Sequence, residues 1–387
     1  MKVGIDLSFI DGWHEGEGIG YYIFYLLKAF QVNGMLENCC LFVNQIFFGE
    51  ARERYPEADT VLIKQRKKGR IIQGIIKRVP KLRELNSYYP YWVLYQRLAV
   101  KHGCDRYFYP YAVLPLRIFP RMPTIITVHD LFYINIPDYY PVSKQNIFAS
   151  RHAYFIHKAD LIIAISEHVK NDLIKHFPRV DRSKIEVIHN PVTVGGLPFE
   201  EPKIKGKYIL SVNNLRKHKN MMTLVRAFHQ IANKIEHSLV LVGKNISEDD
   251  LITDYIKAYN LESRVIRTGL VDDLTRNQLY HNADLFISPS LHEGFGMSPV
   301  EAMMMEVPVI TSRETSLPEA TCGMANYYEL AEDHDALARK ITAVLDRPLD
   351  RDKLRKIKEH LSARYNPERI ALKYWAAFEK ALQVGKR

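Results

Sequence analysis

Glu293 and Glu301, with seven residues between them, bound the stretch His292-Glu293-Gly294-Phe295-Gly296-Met297-Ser298-Pro299-Val300-Glu301. It follows an apolar, strand-like run, Asp284-Leu285-Phe286-Ile287-Ser288. It leads into a helix-like run, Ala302-Met303-Met304-Met305, and a further strand-like run, Pro308-Val309-Ile310-Thr311. Backbone N–H groups where a Gly-bearing loop enters a helix point at whatever binds there and favour anions. Carboxylates accept hydrogen bonds from hydroxyls. An anion cradle beside two hydroxyl acceptors suits a sugar nucleotide. Ser298, Pro299 and Glu301 also match a capping box with Pro at the first helical position. Glu301 therefore reads as a helix cap or as a ligand-binding carboxylate, and the roles are compatible.

Three other groups could take part. Asn213-Asn214-Leu215-Arg216-Lys217-His218-Lys219-Asn220 follows a strand-like run, Tyr208–Val212, and opens a helix. Cations at such a turn suit a diphosphate, adding point charge and a guanidinium fork to helix-end amides. The plainer reading is a solvated, basic helix start. His129-Asp130 ends the run Thr124–Val128, where a strand terminus faces a cleft in an open α/β sheet. Glu15-Gly16-Glu17-Gly18-Ile19-Gly20-Tyr21 follows the first strand, and its glycines let backbone approach a ligand closely. Its spacing is not the dinucleotide-binding fingerprint.

The Glu–seven residues–Glu stretch resembles the signature of retaining glycosyltransferases of the GT-B fold, the large glycosyltransferase family 4 (glycosyl transferases group 1) type. Thr315-Ser316-Leu317-Pro318-Glu319 is similar to the family's following loop. The resemblance implies roles. His129 contacts the donor sugar near the reacting carbon, Arg216 and Lys219 neutralise the diphosphate, and Glu293 holds sugar hydroxyls. The donor lies against Gly18, Asn214, Arg216, Lys219, Gly294, Phe295, Gly296, Val300 and Glu301. It implies retention, a nucleoside diphosphate sugar as donor, a glycan or lipid-linked acceptor, and a hexose of the mannose or glucose type, in cell-surface polysaccharide or lipopolysaccharide synthesis. No Asp-x-Asp motif stands out, so no metal and no cofactor beyond the donor are expected. The chain departs from the family pattern at Asn213, Pro191 and Glu306, where small residues or Gly are usual. A sugar-nucleotide epimerase, a phosphorylase or a non-catalytic glycan-binding subunit could share the architecture. Intact His129, Lys219 and Glu293 weigh against the last.

At 387 residues the chain exceeds one ordinary core. Strand-like and helix-like runs alternate, the pattern of parallel sheets flanked by helices. The reading is α/β, with two Rossmann-like domains facing a central cleft. An acceptor-binding domain occupies 1–195 and a sugar-nucleotide-binding domain 203–365. A terminal helix within 366–387 crosses back onto the first domain. The Gly- and Pro-rich Val194–Pro202 is the expected hinge. Expected strands are Lys2–Leu7, Cys40–Asn44, Thr124–Val128, Leu161–Ile165 and Ile185–Ile188, then Tyr208–Val212, Ser238–Val242, Val265–Thr268, Asp284–Ser288 and Val307–Thr311. Expected helices include Gly20–Phe30, Ser143–Lys158, Glu167–Phe177 with Ser166 as its cap, and Pro367–Leu382.

The net charge of +10 is concentrated in residues 1–195, with 26 Lys and Arg against 18 Asp and Glu. Its centre is the Ile-rich segment Lys64–Arg83, which reads as a surface for an anionic membrane or as a solvated basic loop. Nucleic acid is not an expected partner, because no nucleic-acid-binding motif is present. Cys39, Cys40, Cys104 and Cys322 show neither metal spacing nor a disulfide framework, which fits a reducing cytoplasm. The expected location is therefore cytoplasmic, with peripheral contact at the inner membrane face.

Overall fold

The computed structural model describes residues 1–10, 18–63, 92–111, 122–136, 149, 152–195, 204–214, 216–244, 251–347 and 350–384. The hinge (from 196), the Gly-rich loop before Gly18, residues 143–148 of the helix-like run and the basic segment Lys64–Arg83 lie outside these.

Two wholly parallel sheets organise the chain. The first holds β1 (Val3–Leu7), β2 (Cys39–Val43), β3 (Asp59–Leu62), β4 (Arg106–Tyr109), β5 (Thr124–Val128), β6 (Leu161–Ala164) and β7 (Ile185–Val187). Their spatial order is β3-β2-β1-β4-β5-β6-β7. The second holds β8 (Tyr208–Val212), β9 (Ser238–Val242), β10 (Val265–Gly269), β11 (Leu285–Ser288), β12 (Val309–Ser312) and β13 (Asn326–Tyr328). Its order is β10-β9-β8-β11-β12-β13. Strands such as Leu161-Ile162-Ile163-Ala164 are apolar without alternation because helices cover both faces, and all four residues are buried. Each order reverses once, between β1 and β4 and between β8 and β11. Ligands of doubly wound sheets bind outside the carboxyl ends of strands at such a reversal.

Three strands were not among those expected. β3 begins on an exposed Asp59, β4 carries the buried cation Arg106, and β13 has only three residues. Each breaks the apolar run that marks a buried parallel strand.

The terminal helix Pro367–Val384 packs on the first domain. Ile370, Ala371, Tyr374, Ala377, Phe378 and Ala381 recur at helical spacing and are buried. Tyr374 and Phe378 meet Phe30 and Phe108 at centroid distances of 5.0–6.4 Å. Arg106 donates to the carbonyl of Phe378, satisfying a cation that burial would otherwise penalise. Deep in this contact the Tyr22 and Tyr374 hydroxyls lie 2.8 Å apart, with Thr127 Oγ1 3.1 Å from Tyr22. Glu306 occupies a left-handed backbone position, φ 62°, so the turn takes the form that usually favours Gly.

Tyr22→Phe and Tyr374→Phe should each cost about 1 kcal/mol, because each strands a buried hydroxyl. The double variant should cost less than the sum, since both partners then leave together. Denaturant titration of the four proteins checks this, and strict additivity would mean that the hydroxyls do not share a bond.

Candidate active site

Two loops leave the second sheet from adjacent strands at its reversal. One follows β8 and the other follows β11; the strands pair in register at Leu285 and Ile209. The first runs through Asn213 to a short turn, Lys217–Lys219, and Asn220 ends that turn in the left-handed region, φ 56°. The amide of Asn220 donates to the carbonyls of Pro289 and Ala331, at 3.1 and 2.7 Å. The backbone N–H of Leu291 donates to His218 O at 2.8 Å. The two loops are thereby fastened to each other before any side chain of the site is considered.

Between them Lys219 Nζ lies 2.6 Å from Glu293 Oε1, both side chains largely buried. Ser290 Oγ donates to the same carboxylate oxygen at 2.8 Å. Burial alone would push the Glu293 carboxyl up, but the Lys219 ammonium and this hydrogen bonding hold it below the usual range. Burial pushes His218 down to about 3, so it stays neutral between two cations. Behind the loop, Thr315 Oγ1 accepts from Glu293 N at 2.9 Å. Ser316 Oγ donates to the carbonyls of Glu293 and Phe295, each at 2.9 Å. The similarity of Thr315–Glu319 to a family loop therefore falls on a brace for the Glu293 backbone.

The capping box does not form. The helix Met297–Met304 starts from Gly296, φ 99°, with no side-chain cap. A left-handed residue that Gly alone adopts cheaply sets the start, leaving Ser298 inside the first turn. Glu301 Oε2 instead accepts from Tyr280 Oη at 3.0 Å, and Ser298 reaches the same hydroxyl. Val300, expected against the donor, is wholly buried in the core and does not line the cleft. The helix turns Val300 into the core while Met297, Ser298 and Glu301 face the cleft.

From the first domain, His129 and Asp130 stand at the carboxyl end of β5. His129 Nε2 donates to Pro110 O at 2.8 Å, and Tyr22 meets its ring edge-on at 4.7 Å. Burial pushes its pKa down to about 4, so at neutral pH it is an uncharged imidazole with Nδ1 as acceptor. Burial raises Asp130 to about 6, against the lowering influence of Lys219 and Arg216.

His129, Arg216, Lys219, Glu293, Gly18, Asn214, Gly294, Phe295, Gly296 and Glu301 line one cleft between the domains. Gly294 has a further reason to be Gly. A Cβ there would stand 1.8 Å from the carbonyl oxygen of His129. Ser166 Oγ, which caps the helix Glu167–His176, donates to Gly294 O at 2.7 Å. Glu319 accepts from the backbone N–H of Glu167 and His168 and from His189 Nε2, at 2.8, 3.2 and 2.8 Å. A carboxylate of the second domain thus holds a helix N-terminus of the first, which favours negative charge. At the cleft mouth Tyr21 donates to Asp273 at 2.8 Å, and the Arg276 guanidinium covers the Tyr21 ring at 4.2 Å.

Asp130 and Tyr21, which stood in the candidate groups without roles of their own, line the cleft, as do Arg276 and Asn190, which sequence reasoning missed as cleft residues. Arg276 pairs with Asp273 three residues earlier at 3.1 Å and is buried. Asn190 preceded the unusual Pro191, and its buried Oδ1 has no hydrogen-bond partner among the described residues.

Residues 18–195 match the family model described as Glycosyltransferase Family 4, and residues 198–360 the one described as Glycosyl transferases group 1. The chain is 26% identical over 342 residues to O-antigen chain mannosyltransferase B of Escherichia coli, covering 84% of this chain and 86% of that one. It is 30% identical over 248 residues to O-antigen chain mannosyltransferase RfbU of Salmonella typhimurium, covering 61% and 64%. Its fold is that of sucrose-phosphate synthase from Thermosynechococcus elongatus, with a TM-score of 0.71, 20% identity and 98% of both chains covered. The same holds for Anabaena HepE in complex with UDP-glucose, with a TM-score of 0.69, 16% identity, and 98% and 100% covered.

Gly294→Ala should lower turnover about 100-fold, since roughly 1 Å of misplacement at a positioned site costs that much. Circular dichroism should stay near wild type, because neither core is touched. Wild-type turnover would mean that the domains need not meet at this point during the reaction.

Proposed function

The chain belongs to glycosyltransferase family 4 (glycosyl transferases group 1), and we propose that it transfers a hexose of the mannose or glucose type from a nucleoside diphosphate sugar to a glycan or lipid-linked acceptor with retention of configuration. The observation that carries this is the convergence, in one interdomain cleft, of the Lys219–Glu293 pair with Arg216, Glu301 and the neutral His129. The mannosyl donor type and a place in O-antigen or related polysaccharide synthesis are supported by the names of the relatives.

In this reading the bond between the anomeric carbon and the diphosphate oxygen breaks while the acceptor oxygen forms its bond on the same face. The acceptor's proton leaves to the departing phosphate. Negative charge grows on the leaving group, and fixed donors aimed at it lower the barrier without reorganising. Arg216, Lys219 and the amides opening the helix Met297–Met304 supply them. Glu293 and the amides of Phe295 and Gly296 hold sugar hydroxyls, and Glu301 takes ribose hydroxyls. His129 stays uncharged near neutrality, so it accepts a hydroxyl hydrogen bond rather than delivering a proton. No cofactor beyond the donor is required.

Among the described residues no helix is long and apolar enough to cross a membrane. Contact with a lipid-linked acceptor at an anionic inner-face surface would fall to the basic segment Lys64–Arg83, and it should weaken as salt rises.

A panel of GDP-, UDP- and ADP-sugars with lipid-linked acceptors tests the reading. The expected product keeps the donor's anomeric configuration by NMR. An inverted product, or hydrolysis and epimerisation alone, would overturn it.

Glu301→Ala should weaken donor binding by about 1.5–3 kcal/mol in calorimetry, the scale for a charged hydrogen bond. Unchanged affinity would reduce Glu301 to a partner of Tyr280. His129→Ala should lower kcat more than it weakens donor binding, as expected for a contact made mainly in the transition state. An unchanged kcat with a raised KM would contradict that role.

A further inference from the structure

Directly before Glu293, the second domain places His292 against the first-domain helix Glu167–His176. That helix presents His168 and Asp172, four residues apart and so on one face. His168 Nε2 and Asp172 Oδ2 lie 3.4 Å apart. The ligand-type atoms of His168, Asp172 and His292 all fall within 4.8 Å of one another. His168 Nε2 is buried and makes no hydrogen bond among the described residues. Nothing in the transfer reaction uses this group.

We propose that His168, Asp172 and His292 form a transition-metal site that bridges the two domains. The spacing argues for it. Nitrogen and oxygen ligands stand about 2.0–2.2 Å from a tetrahedral Zn²⁺, which puts neighbouring ligand atoms roughly 3.3–3.6 Å apart. The His168–Asp172 pair is already at that separation. His292 needs a shift of at most about 1.5 Å to complete it, within reach of a side-chain rotation. Two imidazoles and one carboxylate select Zn²⁺, Co²⁺ or Ni²⁺ over Mg²⁺ or Ca²⁺.

Outer contacts orient the ligands. The side-chain amide of Asn135 donates to Asp172 Oδ2 and lies 3.2 Å from His292 Nε2. Its carbonyl oxygen accepts from His176 Nε2 at 2.8 Å. The contact to Asp172 fixes that carboxylate's rotamer, whereas the amide can only donate to His292 Nε2, so an ion bound there takes over that lone pair and leaves the amide on Asp172. His292 lines the cleft, which gives an ion an entry path.

Two ligands come from one domain and the third from the other. A bound ion therefore has higher affinity for the closed arrangement than for the open one, and it shifts the population towards closure.

The experiment uses the full chain and Co²⁺, whose visible absorption intensifies in tetrahedral nitrogen and oxygen sites, with Zn²⁺ calorimetry beside it. One equivalent is expected to bind. His168→Ala, Asp172→Asn and His292→Ala should each lower affinity about 100-fold or more, while the exposed His360→Ala leaves it unchanged. Asp172→Asn keeps the size of the side chain, and circular dichroism confirms the fold of each variant. Absence of a stoichiometric site, or equal affinity across the variants, overturns the proposal. Binding that survives in His292→Ala alone overturns the bridge between domains. These readouts require no sugar transfer, so they succeed or fail independently of the proposed reaction.

Discussion

The cleft exists in its present form because a carbonyl oxygen of one domain rests where a side chain of the other would begin. No residue but Gly fits at position 294 opposite His129 O. That approach lets Ser166 reach the Gly294 carbonyl and lets Glu319 hold the start of the helix Glu167–His176. Backbone contacts of this kind have little slack, since neither partner can change rotamer. The positions of His129 and Glu293 relative to each other follow from it.

Electrostatics inside the cleft follow from the same exclusion of water. Lys219 and Glu293 are largely buried, and a buried pair is weak evidence for stability, since desolvation offsets much of its attraction. Its value is positional. Lys219 keeps Glu293 ionised, and the pair fixes both side chains at the space between the domains. Removing Lys219 alone would leave Glu293 buried and unpaired, so loss of activity in such a variant mixes a lost phosphate contact with a disturbed loop.

Much of the fold was legible because parallel strands covered on both faces must be apolar throughout. Leu161–Ala164 and Ser238–Val242 announce themselves in this way. Arg106 in β4 hid its strand, since a buried cation looks like a loop residue until its carbonyl acceptor, supplied from the terminal helix, is known. In the site, Glu293, Arg216 and Lys219 were legible because one loop carries each of them between a strand and a helix. Ser298 misled because the capping pattern ignored a left-handed Gly296 two residues earlier. Tyr21 stood in a candidate loop, but its partners Asp273 and Arg276 were not legible. Their meaning lies in a contact between residues 252 apart in sequence, which no local pattern encodes.

The terminal helix places the chain's last described residues on the domain where it began. The chain therefore passes between domains twice, and the described residues next to the two passages meet where Val192 N–H donates to Tyr365 O at 3.1 Å. Two adjacent tethers make a single pivot rather than a rigid frame. Rotation about it moves atoms in proportion to their distance from it, as along a lever. Glu319 and His189 are coupled to this pivot through Tyr365, whose ring lies 5.6 Å from that of His189. Any such rotation would disturb these contacts, which lie beside it, least. Contacts near the pivot can thus persist through a rotation that parts residues farther from it.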